Sequence, residues 1–304
     1  MNTTATSASP KGLPAHRTPP PSSAVLASQS ALSSEALAKG ELRNPHSAIA
    51  PHSTPPSAPR LLAALVCVAV PPLLLFLLPA LRQDQTYHAF VDQRTWHGLP
   101  NILDVLTNLP LLLAGLFGLR EAYHQPATPR RAGWLAFFGG LTLVGFGSTW
   151  YHLAPTDASI VWDRLPLSIM FTSLFATALS ETISDRLGRR ALLPAIAFGL
   201  ASVFWWQHYD DLRPYFAAQS LALIGVPALL ALFPRRGEGR SWLVAGLGCY
   251  ALAFAAERAD SFVFTLTGGT FSGHSLKHCL AALACTAVAA MLRSRRLAAR
   301  RQFA

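Results

Sequence analysis

From residue 60 to near the C-terminus, long apolar runs alternate with short polar stretches. An apolar helix of about 20 residues, rising 1.5 Å per residue, crosses the roughly 30 Å hydrocarbon core of a bilayer. Eight runs approach that length: 61–81, 102–122, 132–153, 159–184, 191–207, 214–233, 241–260 and 274–293. The first contains "VAVPPLLLF", whose tandem prolines Pro71 and Pro72 predict a kink. The last opens on the polar "HSLKHC" before turning apolar in "LAALACTAVAAML". Ala, Gly, Ser and Thr recur within several runs and suit close helix packing in lipid. The pattern predicts an all-α, polytopic membrane protein, with its transmembrane domain over 60–293. Residues 1–59, rich in Ser, Pro, Ala and Thr, lack a hydrophobic period and read as a disordered tail. That tail lacks the apolar core and cleavage site of a signal peptide. Residues 294–304 read as a short basic tail.

Composition agrees. The 304-residue chain is 51% hydrophobic and 13% charged, against about a quarter charged in soluble domains. Its net charge of +10 does not make it a nucleic-acid binder. The charges fall in short loops and at the C-terminus, without a basic face interleaved with aromatics. Cys67, Cys249, Cys279 and Cys285 lie in apolar runs without a C-x-x-C pair, which reads as small buried residues. The basic residues also set the orientation. Alternate loops carry Arg130 and Arg131, then Arg186, Arg189 and Arg190, then Arg235, Arg236 and Arg240. Both tails are basic too, and only Arg82, Arg94 and Arg213 lie in loops on the other side. The positive-inside rule puts both termini in the cytoplasm, with an even number of spans.

This topology brings three polar clusters to the outer face. "STWYH" ends the third segment, Asp163 opens the fourth, and "HSLKH" opens the eighth. Ser148 and His152 are four residues apart and share a helix face, as do His274 and His278. Two histidines at that spacing can ligate one metal. A third from another helix completes the three-histidine set, with an open position, that catalytic zinc uses. Competing readings exist for each group. A single interfacial histidine is commonly a helix-end hydrogen-bonding residue. Asp163 can interact with a helix dipole or pair with Arg164. Carboxylates at bilayer depth are nevertheless costly and default to function.

"GFGSTWYHLAPTDASIVWDRLP" (residues 145–166) and "HSLKH" resemble the signature regions of the alkaline ceramidases, in the CREST superfamily of membrane hydrolases. The resemblance spans about residues 92–293. It implies a seven-helix bundle, to which the first segment adds one N-terminal transmembrane helix. It implies zinc held by His152, His274 and His278, with Asp163 transferring protons and Ser148 hydrogen-bonding the water or the developing oxyanion. It also implies a calcium-binding loop before the first bundle helix. Here "FVDQRTWHGLPNILDVLTNL" offers Asp92, Asn101 and Asp104, a thin ligand set for calcium. The alternative is that Asp92 pairs with Arg94 while Gly98, Pro100 and Asn101 shape the start of a helix. Glu257, Arg258 and Asp260 either line the pocket, bind a headgroup or form a helix-end salt-bridge cluster. Lys277 is expected to snorkel to the interface.

The implied activity is a zinc-dependent amidase that splits the N-acyl bond of ceramide or a ceramide-like lipid. The rival is a lipid-sensing, receptor-like member of the superfamily with vestigial hydrolysis. A transporter would carry polar residues through the midplane or show internal repeats. A lipid substrate and the bilayer are the partners expected, with no nucleic acid and no protein partner. A bacterial plasma membrane, with the site facing outward, is the expected location.

Overall fold

The computed structural model describes residues 57–234 and 239–301. The expected disordered tail lies, all but its last residues, outside them. Among the described residues the fold is all-α, without a strand beyond the isolated bridge between Trp96 and Leu99. The helices are α1 (Ala58–Leu75), α2 (Ile102–Leu106), α3 (Asn108–Tyr123), α4 (Pro129–Leu153), α5 (Asp157–Thr182) and α6 (Asp185–Tyr209). They are followed by α7 (Arg213–Ser220), α8 (Val226–Leu232), α9 (Arg240–Arg258), α10 (Asp260–Leu266) and α11 (Gly273–Arg301). A π-helical turn, Leu221–Gly225, joins α7 to α8. The segments α2–α3 and α7–α8 each make one span, so the helices fill the eight expected places.

Six of these segments are long and apolar enough to cross a membrane. The other two, α5 and α9, fall short for identifiable reasons. Helix α5 carries Asp157, Asp163, Arg164 and Glu181 among many hydroxyl residues, and α9 is bounded by Arg240, Glu257 and Arg258. Helix α5 is nonetheless the most enclosed helix, packed against α4, α6, α7 and α8. Four of its hydroxyls are satisfied within the helix. Thr172, Ser173, Thr177 and Thr182 each donate to the carbonyl four residues back, at 2.6–2.7 Å. Small residues that bond their own backbone let neighbouring helices approach without leaving a polar group bare in lipid.

The first span differs from expectation. Helix α1 contains Pro71 and Pro72 and ends at Leu75, well short of residue 81. Two adjacent prolines remove two backbone donors and crowd the preceding turn, so the helix stops within a turn of them. Only Ala64 of α1 is buried. The helix leans on α7 and α8 at the edge of the bundle, and its leucines face outward.

At the far end, α11 runs on to Arg301, through most of the stretch read as a basic tail. Two of its basic residues are held across the bundle. Arg295 pairs with Glu181 of α5 at 2.9 Å, and Arg296 reaches the fully buried Glu121 of α3 at 3.0 Å. Arg120 closes on Glu121 at 2.9 Å, and Gln125 donates to the Leu292 carbonyl. These contacts lock α3, α5 and α11 together at the end opposite the histidines. Glu121→Gln is expected to cost about 2–3 kcal/mol, below the ~3–5 of a fully buried pair because Arg120 is exposed. Thermal melting in detergent would measure it.

Candidate metal centre

Helices α4 and α11 lie on either side of α3, which packs against both. His152, in the last turn of α4, therefore meets His274 and His278, in the first turns of α11. One nitrogen from each ring lies within 4.8 Å of the others, and all three residues are buried. The ring centroids are 5.0, 5.2 and 4.9 Å apart, at interplanar angles of 62–78°. The Nε2 atoms of His152 and His274 face each other at 3.4 Å. Imidazoles arranged edge to face with nitrogens converging are poor packing partners but a good metal cradle.

Neighbouring side chains fix the rings. Thr107 Oγ1 donates to the Leu103 carbonyl at 2.7 Å and lies 2.9 Å from His278 Nδ1. With its own proton engaged, the hydroxyl accepts from Nδ1–H, which leaves the lone pair of His278 on Nε2. Metal-binding histidines characteristically use their second nitrogen in this way. His152 Nδ1 is buried without a partner. The set therefore fits a divalent metal that takes nitrogen ligands, of which zinc is the commonest.

The remaining expected residues fall into two groups. Ser148 is buried one turn before His152, and its side chain interacts with that of Asp163 on α5. That contact depends on Gly147, where a Cβ would collide with the Trp162 carbonyl. The close approach of α4 and α5 thus sets Ser148 beside Asp163. Arg164 turns away from its neighbour. It donates to Gln83 Oε1 at 2.6 Å and lies over the Trp206 ring, and no Asp163–Arg164 ion pair forms among the described residues.

Asp92, Asn101 and Asp104 each have protein partners. Asp92 is clamped by Arg94 through two bonds of 2.7 and 2.6 Å, as the alternative reading had it. Asn101 adopts a left-handed backbone (φ 49°) ahead of α2, and its amide donates to the His152 carbonyl at 2.8 Å. Asp104 accepts from Ser275 Oγ at 2.6 Å and from Ser272 Oγ at 3.4 Å. These contacts tie α2 to the ends of α4 and α11, while Asp104 Oδ2 is buried without a partner.

The second cluster also divides. Asp260 Oδ1 accepts from the His274 backbone N–H at 2.8 Å and so caps α11. Gly273 just before it packs against Ala256 and Asp260, with no room for a Cβ. Arg258 is exposed, over the Phe254 ring. Glu257 points toward the histidines through Lys277, which it meets at 2.7 Å. Lys277 does not snorkel outward as expected. It sits three residues after His274 on the same helix face, a periodicity that was readable in "HSLKH".

Residues 76–101 form a strap over this end of the bundle. Leu212 N–H donates to the Leu81 carbonyl, and Asp211 accepts from Leu81 N–H. Gln85 and His88 bond Asp157, and Arg94 reaches the Thr270 carbonyl at 2.8 Å. The strap is thereby pinned to the turns after α4, α6 and α10. It presses buried Phe90 against His152 and His274, with ring centroids 4.6 and 5.0 Å away. Neither Phe90 nor Thr107 carried a sequence signal. Each matters only through what lies beside it in space.

Two outcomes are expected from this geometry. Thr107→Val removes the partner of His278 Nδ1 and should weaken divalent metal binding about 10–100-fold, read by chelator competition. Asp211 concerns pH. Hydrogen bonds from the Arg213 side chain, with its backbone and that of Leu81, hold the Asp211 carboxyl down to about 2 against the opposing effect of burial. Its stabilisation is complete above the ordinary carboxylate value of about 3.9 and is lost as pH falls through about 2. Melting temperature should fall across that window, and Asp211→Asn should flatten the dependence.

Residues 100–235 match the family model described as Ceramidase. No curated protein matches the chain. The matched stretch holds Ser148, His152 and Asp163, while His274 and His278 lie beyond it. A ceramidase-type hydrolase embedded in a membrane and acting on a lipid is what this match supports. Over residues 100–235 the chain is similar to the ceramidase family.

Proposed function

We propose that this protein is a zinc-dependent amidase of the membrane. It hydrolyses the N-acyl bond of ceramide or a ceramide-like lipid to a fatty acid and a free amine, a sphingoid base in the case of ceramide. The observation that carries this reading is the buried convergence of His152, His274 and His278 at the bundle end that also holds Ser148 and Asp163. Zinc there would supply a Lewis acid and lower the pKa of water toward neutrality.

The chain's own residues divide the remaining work. His152, His274 and His278 hold the ion, and Thr107 keeps His278 in the ligating tautomer. The Asp163 carboxylate accepts a proton from the attacking water and returns it to the leaving nitrogen. Ser148, in contact with Asp163, hydrogen-bonds that water and holds it for transfer. It is not a nucleophile, since its nearest histidine is committed as a ligand. Phe90 and the strap shield the histidines from the aqueous side, which favours delivery of the lipid from the bilayer. The charge asymmetry of the loops supports cytoplasmic termini and an outward-facing site in a bacterial plasma membrane.

The test joins metal analysis to fatty-acid release from a panel of N-acyl lipids. Wild-type protein is expected to carry about one zinc per chain, in keeping with a single three-histidine site, and to release fatty acid. His278→Ala should lose both metal and turnover. Asp163→Asn should keep the metal and lose about 10²–10⁴-fold in kcat. Zinc without turnover of any lipid would favour the sensor reading instead, and protein prepared without loss of metal yet free of zinc would overturn the metal site.

A further inference from the structure

Lys277 has no part in the chemistry above, yet its amine lies against the ring of His274. Its Nζ lies 2.7 Å from Glu257 Oε1, 3.3 Å from His274 Nε2 and 3.4 Å from His274 Nδ1. A lysine at a helix end has a stem long enough to carry its charge to the headgroups. Here the side chain is only 22% exposed, so the fold holds a costly cation inside. Glu257, from the end of α9, offsets that cost. The pairing follows from the close contact of α9 and α11 where Gly273 meets Ala256.

Donor counting shows what the amine has to spare. An ammonium carries three N–H groups. Glu257 takes one, and the His274 ring can take at most one more. A ring nitrogen committed to a metal accepts nothing further. At least one donor is then left for a further acceptor, beside a ring whose Nε2 meets His152 Nε2 at 3.4 Å. A cation beside a cationic centre is repelled by it, and the group that relieves the repulsion is an oxygen bearing negative charge. Ser148 stands apart, engaged with Asp163.

We propose that Lys277 is a catalytic donor to the carbonyl oxygen of the scissile amide, positioned by Glu257. It binds that oxygen as negative charge builds on it and then holds a carboxylate oxygen of the released fatty acid. Lys277 forms no covalent bond and transfers no proton in this role. The inference rests on the amidase reading.

The experiment compares wild type, Lys277→Met, Lys277→Arg and the double variant Lys277→Met/Glu257→Gln in nanodiscs. Three quantities are read: zinc per chain, kcat and KM on an N-acyl lipid, and palmitate affinity of the metal-free protein by fluorescent fatty-acid competition. Lys277→Met is expected to keep its zinc, lose on the order of 10²-fold in kcat with little change in KM, and bind palmitate more weakly. Lys277→Arg should recover part of each loss. The double variant should stay as impaired as the single one, and it carries the same comparison if Lys277→Met fails to fold. Restoration of kcat in the double variant would trace the defect to an unpaired Glu257 and overturn the proposal. Loss of zinc in Lys277→Met, or unchanged kcat and palmitate affinity, would overturn it equally. Wild-type protein that hydrolyses no lipid would defeat the amidase reading instead, and the palmitate comparison would still judge Lys277.

Discussion

Three imidazole rings buried together, nitrogens inward, are the constraint on which this end of the bundle depends. Packed against one another they bring little of the dispersion energy that aliphatic side chains would, and each has two polar nitrogens to place. The structure answers by fixing each ring from outside. Thr107 takes one nitrogen of His278, Asp260 caps α11 at His274, and Asn101 holds the backbone of His152. Phe90 closes the remaining side. These contacts tie the ends of α4 and α11 to their neighbours.

The same economy governs the bundle as a whole. Many polar groups in the apolar layer are satisfied locally or paired across helices. Four hydroxyls of α5 bond carbonyls of their own helix, and Glu121 gathers Arg120 and Arg296. Close approaches at Gly147 and Gly273 bring backbone to backbone, and both lie beside the site. One sets Ser148 next to Asp163, and the other sets α9 next to α11, so that Glu257 meets Lys277. Small residues here are the means by which separate helices deliver their side chains to one place.

The strap, regular only in the 3₁₀ turn Gln85–His88, shows how such a stretch becomes specific. Its turn, Trp96–Leu99, has positive φ at His97 and Gly98, a geometry that reverses the chain in two residues. Gln83, Gln85, His88 and Arg94 then bind it to the turns beneath. Asp92 and Asn101, candidates for calcium by resemblance, serve in this scaffold as partners of Arg94 and His152.

Periodicity and hydropathy determined the helices, their number and their alternation, because in lipid a chain must satisfy its backbone within each segment. Spacing within one helix determined which residues share a face, and so paired His274 with His278 and Ser148 with His152. Resemblance joined those pairs to Asp163. What the sequence could not determine was anything set by distance between segments. The helical C-terminus needed Glu121 and Glu181 as partners, whereas the early end of α1 follows from Pro71 and Pro72 in the sequence itself. Phe90, Thr107 and the inward turn of Lys277 were decided only when α3, α4, α9 and α11 closed around them. Contacts of that kind depend on which side chains packing places within about 3 Å, and linear spacing holds no record of that.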